Sequence, residues 1–267
     1  MNDHPHFSIV TVCLNAEEHI AGAIESVLAQ TWSDYEYVVV DGGSTDGTVD
    51  VIRSYEPRFD GRMRWASEPD GGLYEAMNKG LAVARGEYVE FLGADDRLRP
   101  GALEAVANAA DVTPPPDIVC GATHVTGPDG SWDDLPRRVL RRGLPARVPA
   151  SHQSTFTRRE VVEAVGGFDV RFRIAADYDL YLRLVRSGRS ERLLDDVLSE
   201  FRLGGASSRS ARATAREYRD VRIAHGANRT VEEFVMLKST AAASLFALWM
   251  RLFHRAPARS GAAGLRS

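Results

Sequence analysis

The sequence predicts an α/β fold, a mainly parallel Rossmann-like sheet flanked by helices, followed by a helical C-terminal extension. Three observations predict it. Short β-branched and aromatic runs alternate with segments of helical apolar spacing through the first hundred residues. Each run stops at small polar or acidic residues. Beyond Gly204 the strand pattern disappears and the charge balance reverses.

The elements follow in order. "FSIVTVCL" (7–14) reads as a buried strand. Asn15 then reads as a helix cap with Glu18 as its capping-box partner, ahead of Ile20, Ile24, Val27 and Leu28 at helical spacing. "YEYVVVD" (35–41) is a second strand and "TDGTVDVIRSYE" (45–56) the helix behind it. "MRWAS" (63–67) is a third strand. In "LYEAMNKGLAVARG", Leu73, Met77, Leu81 and Ala84 share a face, with Gly86 as the left-handed residue closing the helix. "EYVEFLG" (87–93) is a fourth strand.

Repeated β-α-β units imply right-handed crossovers and a ligand edge beyond the C-terminal ends of the strands. At those ends stand Asn15, Asp41 to Ser44, Glu68 to Asp70, and Asp95-Asp96. After "VTPPPD" (112–117) the pattern loosens. It comprises a strand-like "DIVCGAT", a basic loop at 137–149, "SHQSTF", and a helix over "AADYDLYLRLVRSG" ending at Gly188.

Composition bounds the function. Of 267 residues 44% are hydrophobic and 26% charged, enough for a large core. Cys13 and Cys120 lack C-x-x-C spacing, so neither a disulfide scaffold nor a zinc site is indicated, and a reducing, cytoplasmic setting is expected. The N-terminus shows no signal-peptide pattern. The 12 apolar residues Ser239 to Met250 fall short of the ~20 that span a bilayer.

The net charge of −4 divides unevenly. Residues 204–267 carry 11 basic and 4 acidic residues, a balance of +7, which leaves 22 against 33, or −11, for residues 1–203. The expected division is therefore an acidic domain over 1–203 and a basic helical extension over 204–267. An acidic body argues against nucleic-acid binding. Phe234, Leu237, Leu245, Leu248, Trp249, Leu252 and Phe253, with Arg251, His254 and Arg255, form a basic amphipathic pattern. Such a helix can lie peripherally on the inner face of a membrane, pack on its own domain, or join a homodimer.

The vicinal Asp95-Asp96 pair suits a hard divalent cation, Mn²⁺ or Mg²⁺, that also takes phosphate oxygens. "VVVDGGSTDGT" can serve a nucleotide base through Asp41, with Gly42 and Gly43 permitting close backbone approach. It can equally be a glycine turn with Ser44 or Thr45 as a helix cap. No G-x-G-x-x-G or G-x-x-x-x-G-K-[ST] motif is present. Asp177 lies in the first turn of its helix, where the macrodipole favours an ionised carboxylate able to act as a general base. Asp179 points elsewhere, to solvent or a local salt bridge.

Taken together, "FSIVTVCLNAEEHIAGAIESVLAQTWSDYEYVVVDGGSTDGT", "DGGLYEAMNKGLAVARGEYVEFLGADD" and "ADYDLYLRL" resemble the inverting glycosyltransferases of family 2, with the GT-A fold, over residues 7–203. The type resembled acts in bacterial cell-surface glycan or glycolipid synthesis. The resemblance implies a sugar transferred from a UDP, GDP or dTDP donor to a saccharide or lipid-linked acceptor. It implies Asp41 at the nucleotide base, Asp95 near the ribose or metal, Asp96 as main metal ligand and Asp177 as catalytic base. Asn15, Gly42, Ser44 and Asp70 are expected to line the nucleotide-sugar site. His152 and Gln153 of "SHQSTF" are expected near the donor diphosphate or acceptor. Where members often carry Glu before the base, this chain carries Ala176. Two other classes remain: a non-catalytic nucleotide-sugar binder, and a nucleotidylyltransferase, whose Gly-rich basic loop "CLNAEEHIAG" does not supply.

Overall fold

The computed structural model describes residues 4–128, 130–137, 150–203 and 211–234. The basic loop expected at 137–149 lies, but for Arg137, outside them, as do the tail residues Leu237 to Arg255. Contacts divide the chain into Met1–Val221 and Arg222–Ser267. In the second unit, residues 229–234 are helical and Arg222 pairs with Glu232 at 2.7 Å.

Among the described residues the first unit is built on nine strands: β1 (Phe7–Cys13), β2 (Tyr35–Asp41), β3 (Met63–Ser67), β4 (Tyr88–Gly93), β5 (Arg97–Leu98), β6 (Ile118–Gly127), β7 (Gly130–Asp134), β8 (Thr155–Arg158) and β9 (Glu191–Arg202). The order is β3-β2-β1-β4-β8-β6-β9-β5, with β7 paired to β6. Strands β1 to β4 are mutually parallel. Strand β8 runs antiparallel to both β4 and β6, so the far half of the sheet is mixed.

The helices are α1 (Ile20–Leu28), α2 (Thr48–Tyr55), α3 (Leu73–Val83), α4 (Ala102–Ala110), α5 (Arg159–Ala164), α6 (Ala176–Arg186) and α7 (Ala211–Ala224). Two apolar layers cover the two faces of the sheet. One gathers Ile9, Ile24, Tyr37, Leu92 and Val106 under α1 and α4. The other gathers Val10, Val40, Met77, Phe91 and Leu180 under α3 and α6. Helices on both faces leave every residue of β1 and β2 buried, the polar Ser8, Thr11 and Glu36 among them.

Register is what assembles the site. Cys13 pairs with Asp41, Asp41 with Ser67, and Val12 with Gly93. The ends of four strands are thereby aligned, and the loops that follow them open on one edge.

Three local expectations are corrected. Helix α1 begins at Ile20 behind His19 with no side-chain cap, whereas Asn15 stands apart at φ 49°. Asn tolerates the left-handed region, and its amide serves the neighbouring loop instead of a helix. Leu73 is exposed, because α3 starts there at the open edge. Helix α3 ends through an extended Ala84 rather than a left-handed Gly86. Gly86 is needed for another reason: a Cβ there would meet the Ser8 backbone nitrogen at 2.4 Å and the Phe7 carbonyl carbon at 2.6 Å. Backbone cannot step aside as a side chain can. Gly86→Ala is expected to cost about 1–3 kcal/mol by overpacking, read as a lower urea midpoint with the slope unchanged.

Candidate active site

The first cluster joins the β1–α1 and β2–α2 loops. Asp41 is buried at the end of β2 and accepts from every side. The N–H groups of Gly43 (3.2 Å) and Ser44 (2.9 Å) and the Ser67 hydroxyl (2.7 Å) donate to Oδ2. The Ser44 hydroxyl and the Cys13 thiol donate to Oδ1. Burial alone would raise the Asp41 pKa, but the hydrogen bonds from Ser44, Ser67 and Cys13 outweigh it and hold the carboxyl below its ordinary value. The stability this adds is complete above about pH 4 and is lost only in stronger acid.

Both Asp41 oxygens are thus committed to the β2–α2 loop, Ser67 and Cys13, and the residue braces the loop from behind. The Asn15 N–H donates to Ser44 Oγ at 2.7 Å, and Asn15 Oδ1 accepts from the Thr45 N–H at 2.9 Å. Neither Ser44 nor Thr45 caps α2, whose N-cap position is Gly47. Asp70 takes the Gly72 N–H on Oδ1 at 2.9 Å and keeps Oδ2 over Gly42, 2.8 Å from where a Cβ would stand. Gly42 is therefore the opening through which Asp70 faces the loop.

The second cluster follows β4. Asp95 is exposed and Asp96 only 2% exposed, so the adjacent acids have different surroundings. Asp96 Oδ1 is buried with no hydrogen-bond partner among the described residues. Burial first, and then the charge of Asp95, push Asp96 up to about 7, against the lowering effects of His152 and Gln153. A buried carboxylate oxygen without a donor suits a bound cation. Among the described residues no group of three His, Cys, Asp or Glu side chains converges on one point. Asp95 and Asp96 would therefore hold a metal with phosphate and water completing its shell.

The third group hangs on α6. Asp177 Oδ2 lies 3.3 Å from His152 Nδ1, and Asp177 Oδ1 accepts the Tyr178 N–H at 2.8 Å. The Tyr74 hydroxyl stands 3.3 Å from the same Oδ1. Burial disfavours the His152 cation, yet the hydrogen bond and charge of Asp177, with Asp96 and Asp95 behind, raise its pKa. His152 and Gln153 form a 3₁₀ turn just before β8. His152 consequently stands in the field of both the α6 acid and the acid pair, as a single polar wall. Ala176 is fully buried, so no carboxylate fits ahead of Asp177. Asp179 is buried too, paired with Arg183 at 2.8 Å rather than facing solvent.

Sequence reasoning missed two participants. Tyr74 of α3 reaches Asp177 from the helix that follows Asp70. Glu90 of β4 is wholly buried, neither oxygen has a hydrogen-bond partner among the described residues, and burial, followed by the charge of Asp96, raises its pKa well above the ordinary value. The signal for Glu90 was visible as a lone acid inside the apolar run "YVEFLG".

The profile of Glycosyl transferase family 2 matches residues 8–178, which contain all three clusters. A "PGL/p-HBAD biosynthesis glycosyltransferase" of Mycobacterium tuberculosis is 34% identical over 183 residues, covering 67% of this chain and 69% of the relative. In shape the chain is similar to Staphylococcus aureus TarS 1–349 in complex with UDP-GlcNAc. The TM-score is 0.67 at 17% identity, covering 86% of this chain and 70% of that one. It is similar also to a Pyrobaculum calidifontis mannosyltransferase in complex with GDP-Man and Mn²⁺. There the TM-score is 0.66 at 19% identity, covering 96% and 82%. With its α/β sheet, its aligned strand ends and this match, the chain belongs to glycosyl transferase family 2 and has the GT-A fold.

Proposed function

We propose that the protein transfers a sugar from a nucleotide-diphosphate donor to an acceptor hydroxyl with inversion at the anomeric carbon, using Asp177 as base and a divalent cation at Asp95-Asp96. The observation that carries this reading is the buried, unpartnered Asp96 Oδ1 beside a wall that leads through His152 to Asp177. The two related shapes bound to UDP-GlcNAc, and to GDP-Man with Mn²⁺, support a nucleotide-sugar donor and a divalent metal.

The loop ordered by Asp41, with Asn15, Gly42, Ser44 and Asp70, takes the nucleoside. Asp95 and Asp96 would hold the cation, which when bound would supply positive charge against the departing diphosphate. His152 and Gln153 lie between the diphosphate and the acceptor. The acceptor oxygen bonds to the anomeric carbon as the bond from that carbon to the diphosphate oxygen breaks. Asp177 takes the acceptor proton, and Tyr74 and His152 hold its two oxygens in line. A single displacement of this kind inverts configuration. The acceptor is a saccharide or a lipid-linked saccharide of a bacterial surface glycan; the mycobacterial relative, named for biosynthesis, supports a biosynthetic transferase. Among the described residues no helix is long and apolar enough to cross a membrane. We assign the basic tail to peripheral membrane contact or to a second subunit.

A thermal-shift panel of UDP, GDP and dTDP, each with Mn²⁺, Mg²⁺ or EDTA, tests the donor half without an acceptor. One diphosphate at 100 times its dissociation constant should add ~2.7 kcal/mol, and only with metal. Stabilisation by none of them rejects the reading.

A further inference from the structure

The N-terminus of α6, where Asp177 sits, is held by a residue outside the span that the family profile matches. No side chain of its own caps α6. Glu217 of α7 does so from a distance: its Oε2 accepts the N–H groups of Ile174 at 2.7 Å and Ala175 at 3.1 Å. Ala175 is the N-cap position and Ile174 precedes it, so the carboxylate sits just ahead of the helix start, where the helix dipole favours it.

Glu217 is itself fixed by its neighbours. Tyr218 stacks on Tyr178 with centroids 5.0 Å apart and an interplanar angle of 18°. Val221, one turn on, is 0% exposed and packs with Ala175, Tyr178 and Leu182. The Ile174 peptide is gripped at both ends, because its carbonyl accepts the Tyr74 hydroxyl at 2.8 Å. Asp177 therefore lies between two backbone groups bonded to Glu217 and a ring stacked on Tyr218.

We propose that Glu217 is a positioning residue for the transfer reaction, fixing through the Ile174 and Ala175 backbone the direction in which Asp177 presents its carboxylate. The inference rests on Asp177 being the base. It makes α7 part of the catalytic unit rather than an appendage. Without the acceptor oxygen the first turn of α6 loosens. A misplacement of about 1 Å at a reacting group costs on the order of 10²-fold in rate.

The test is nucleotide release from UDP-GlcNAc and from GDP-mannose with Mn²⁺, water serving as acceptor, for the full chain and its variants. Glu217→Ala should lower kcat about 10- to 100-fold with the donor KM within about 2-fold. Glu217→Gln, whose amide oxygen still accepts, should return to within about 3-fold of the parent. Parent-like kcat in Glu217→Ala beside an inactive Asp177→Asn overturns the positioning role and leaves the base in place. A parent-like Asp177→Asn overturns the base assignment and the proposal with it. Loss in Glu217→Gln as deep as in Glu217→Ala, or KM rising in step with the loss of kcat, also overturns the positioning role. Amide exchange over residues 172–180 needs no turnover. It should quicken in Glu217→Ala and return in Glu217→Gln; unchanged exchange in Glu217→Ala contradicts the proposal.

Discussion

Asp96→Asn is expected to cut sugar transfer by about 10²- to 10³-fold while making the metal-free protein more stable. The first effect follows from the carboxylate's place in the cation site: losing several kcal/mol of charge stabilisation at about 1.4 kcal/mol per decade gives that range. The second follows from its surroundings. Asp96 is buried beside Asp95 and its pKa is pushed from 3.8 to about 7. A carboxyl whose folded value is raised binds more protons in the native state than in the unfolded one. Stability then falls as pH climbs from about 4 through about 7 and stays lower above. The full cost at pH 8 is up to roughly 4 kcal/mol, and Asn does not titrate. Urea unfolding in EDTA at pH 8 should show the variant as the more stable protein, with the two converging towards pH 4. Equal stabilities at pH 8 would place Asp96 in water and remove the reason for a cation there.

Asp177→Asn is expected to lower kcat by about 10²- to 10⁴-fold, the usual span for a lost general base, with donor binding unchanged. The amide keeps the shape of the carboxylate. It can still accept the Tyr178 N–H that Asp177 Oδ1 takes at 2.8 Å, so α6 stays in place. What is lost is the ability to take the acceptor proton. Steady-state rates beside thermal-shift titration of the nucleotide separate the two effects. A variant that transfers at the parent rate, or that fails to bind nucleotide, would each assign Asp177 a different role.

How much of this was readable from residues alone differs by element. Strand β3, partly exposed, was legible from its short run, and β1, β2 and β4 almost to the residue, because strands buried on both faces leave mainly apolar runs that few other structures produce. Their shared ends were legible for the same reason, and with them Asp95-Asp96. Local capping was less so. Asn15 carries the residue type of a cap, but its partners Ser44 and Thr45 come from another loop. A pattern read along the chain cannot see a bond across it. Asp41 was legible as a residue but its partners were not, since its five donors include Ser67 of the neighbouring strand and Cys13 of β1. Glu217 offered no signal, because a carboxylate on an exposed-looking basic helix gives no hint that Ile174 and Ala175 are waiting for it.

Asp95 and Asp96, one exposed and one buried, carry the claim that distinguishes this site from a polar turn. Mn²⁺ binding followed by electron paramagnetic resonance tests it most directly, with UDP and GDP each present or absent, in the parent protein and in Asp96→Asn. The free-ion signal should fall in the parent when the accepted diphosphate is added and should persist in Asp96→Asn at the same concentrations. Equal loss of signal in both proteins, or none in the parent with either nucleotide, would contradict a cation held by Asp96 on a nucleotide diphosphate.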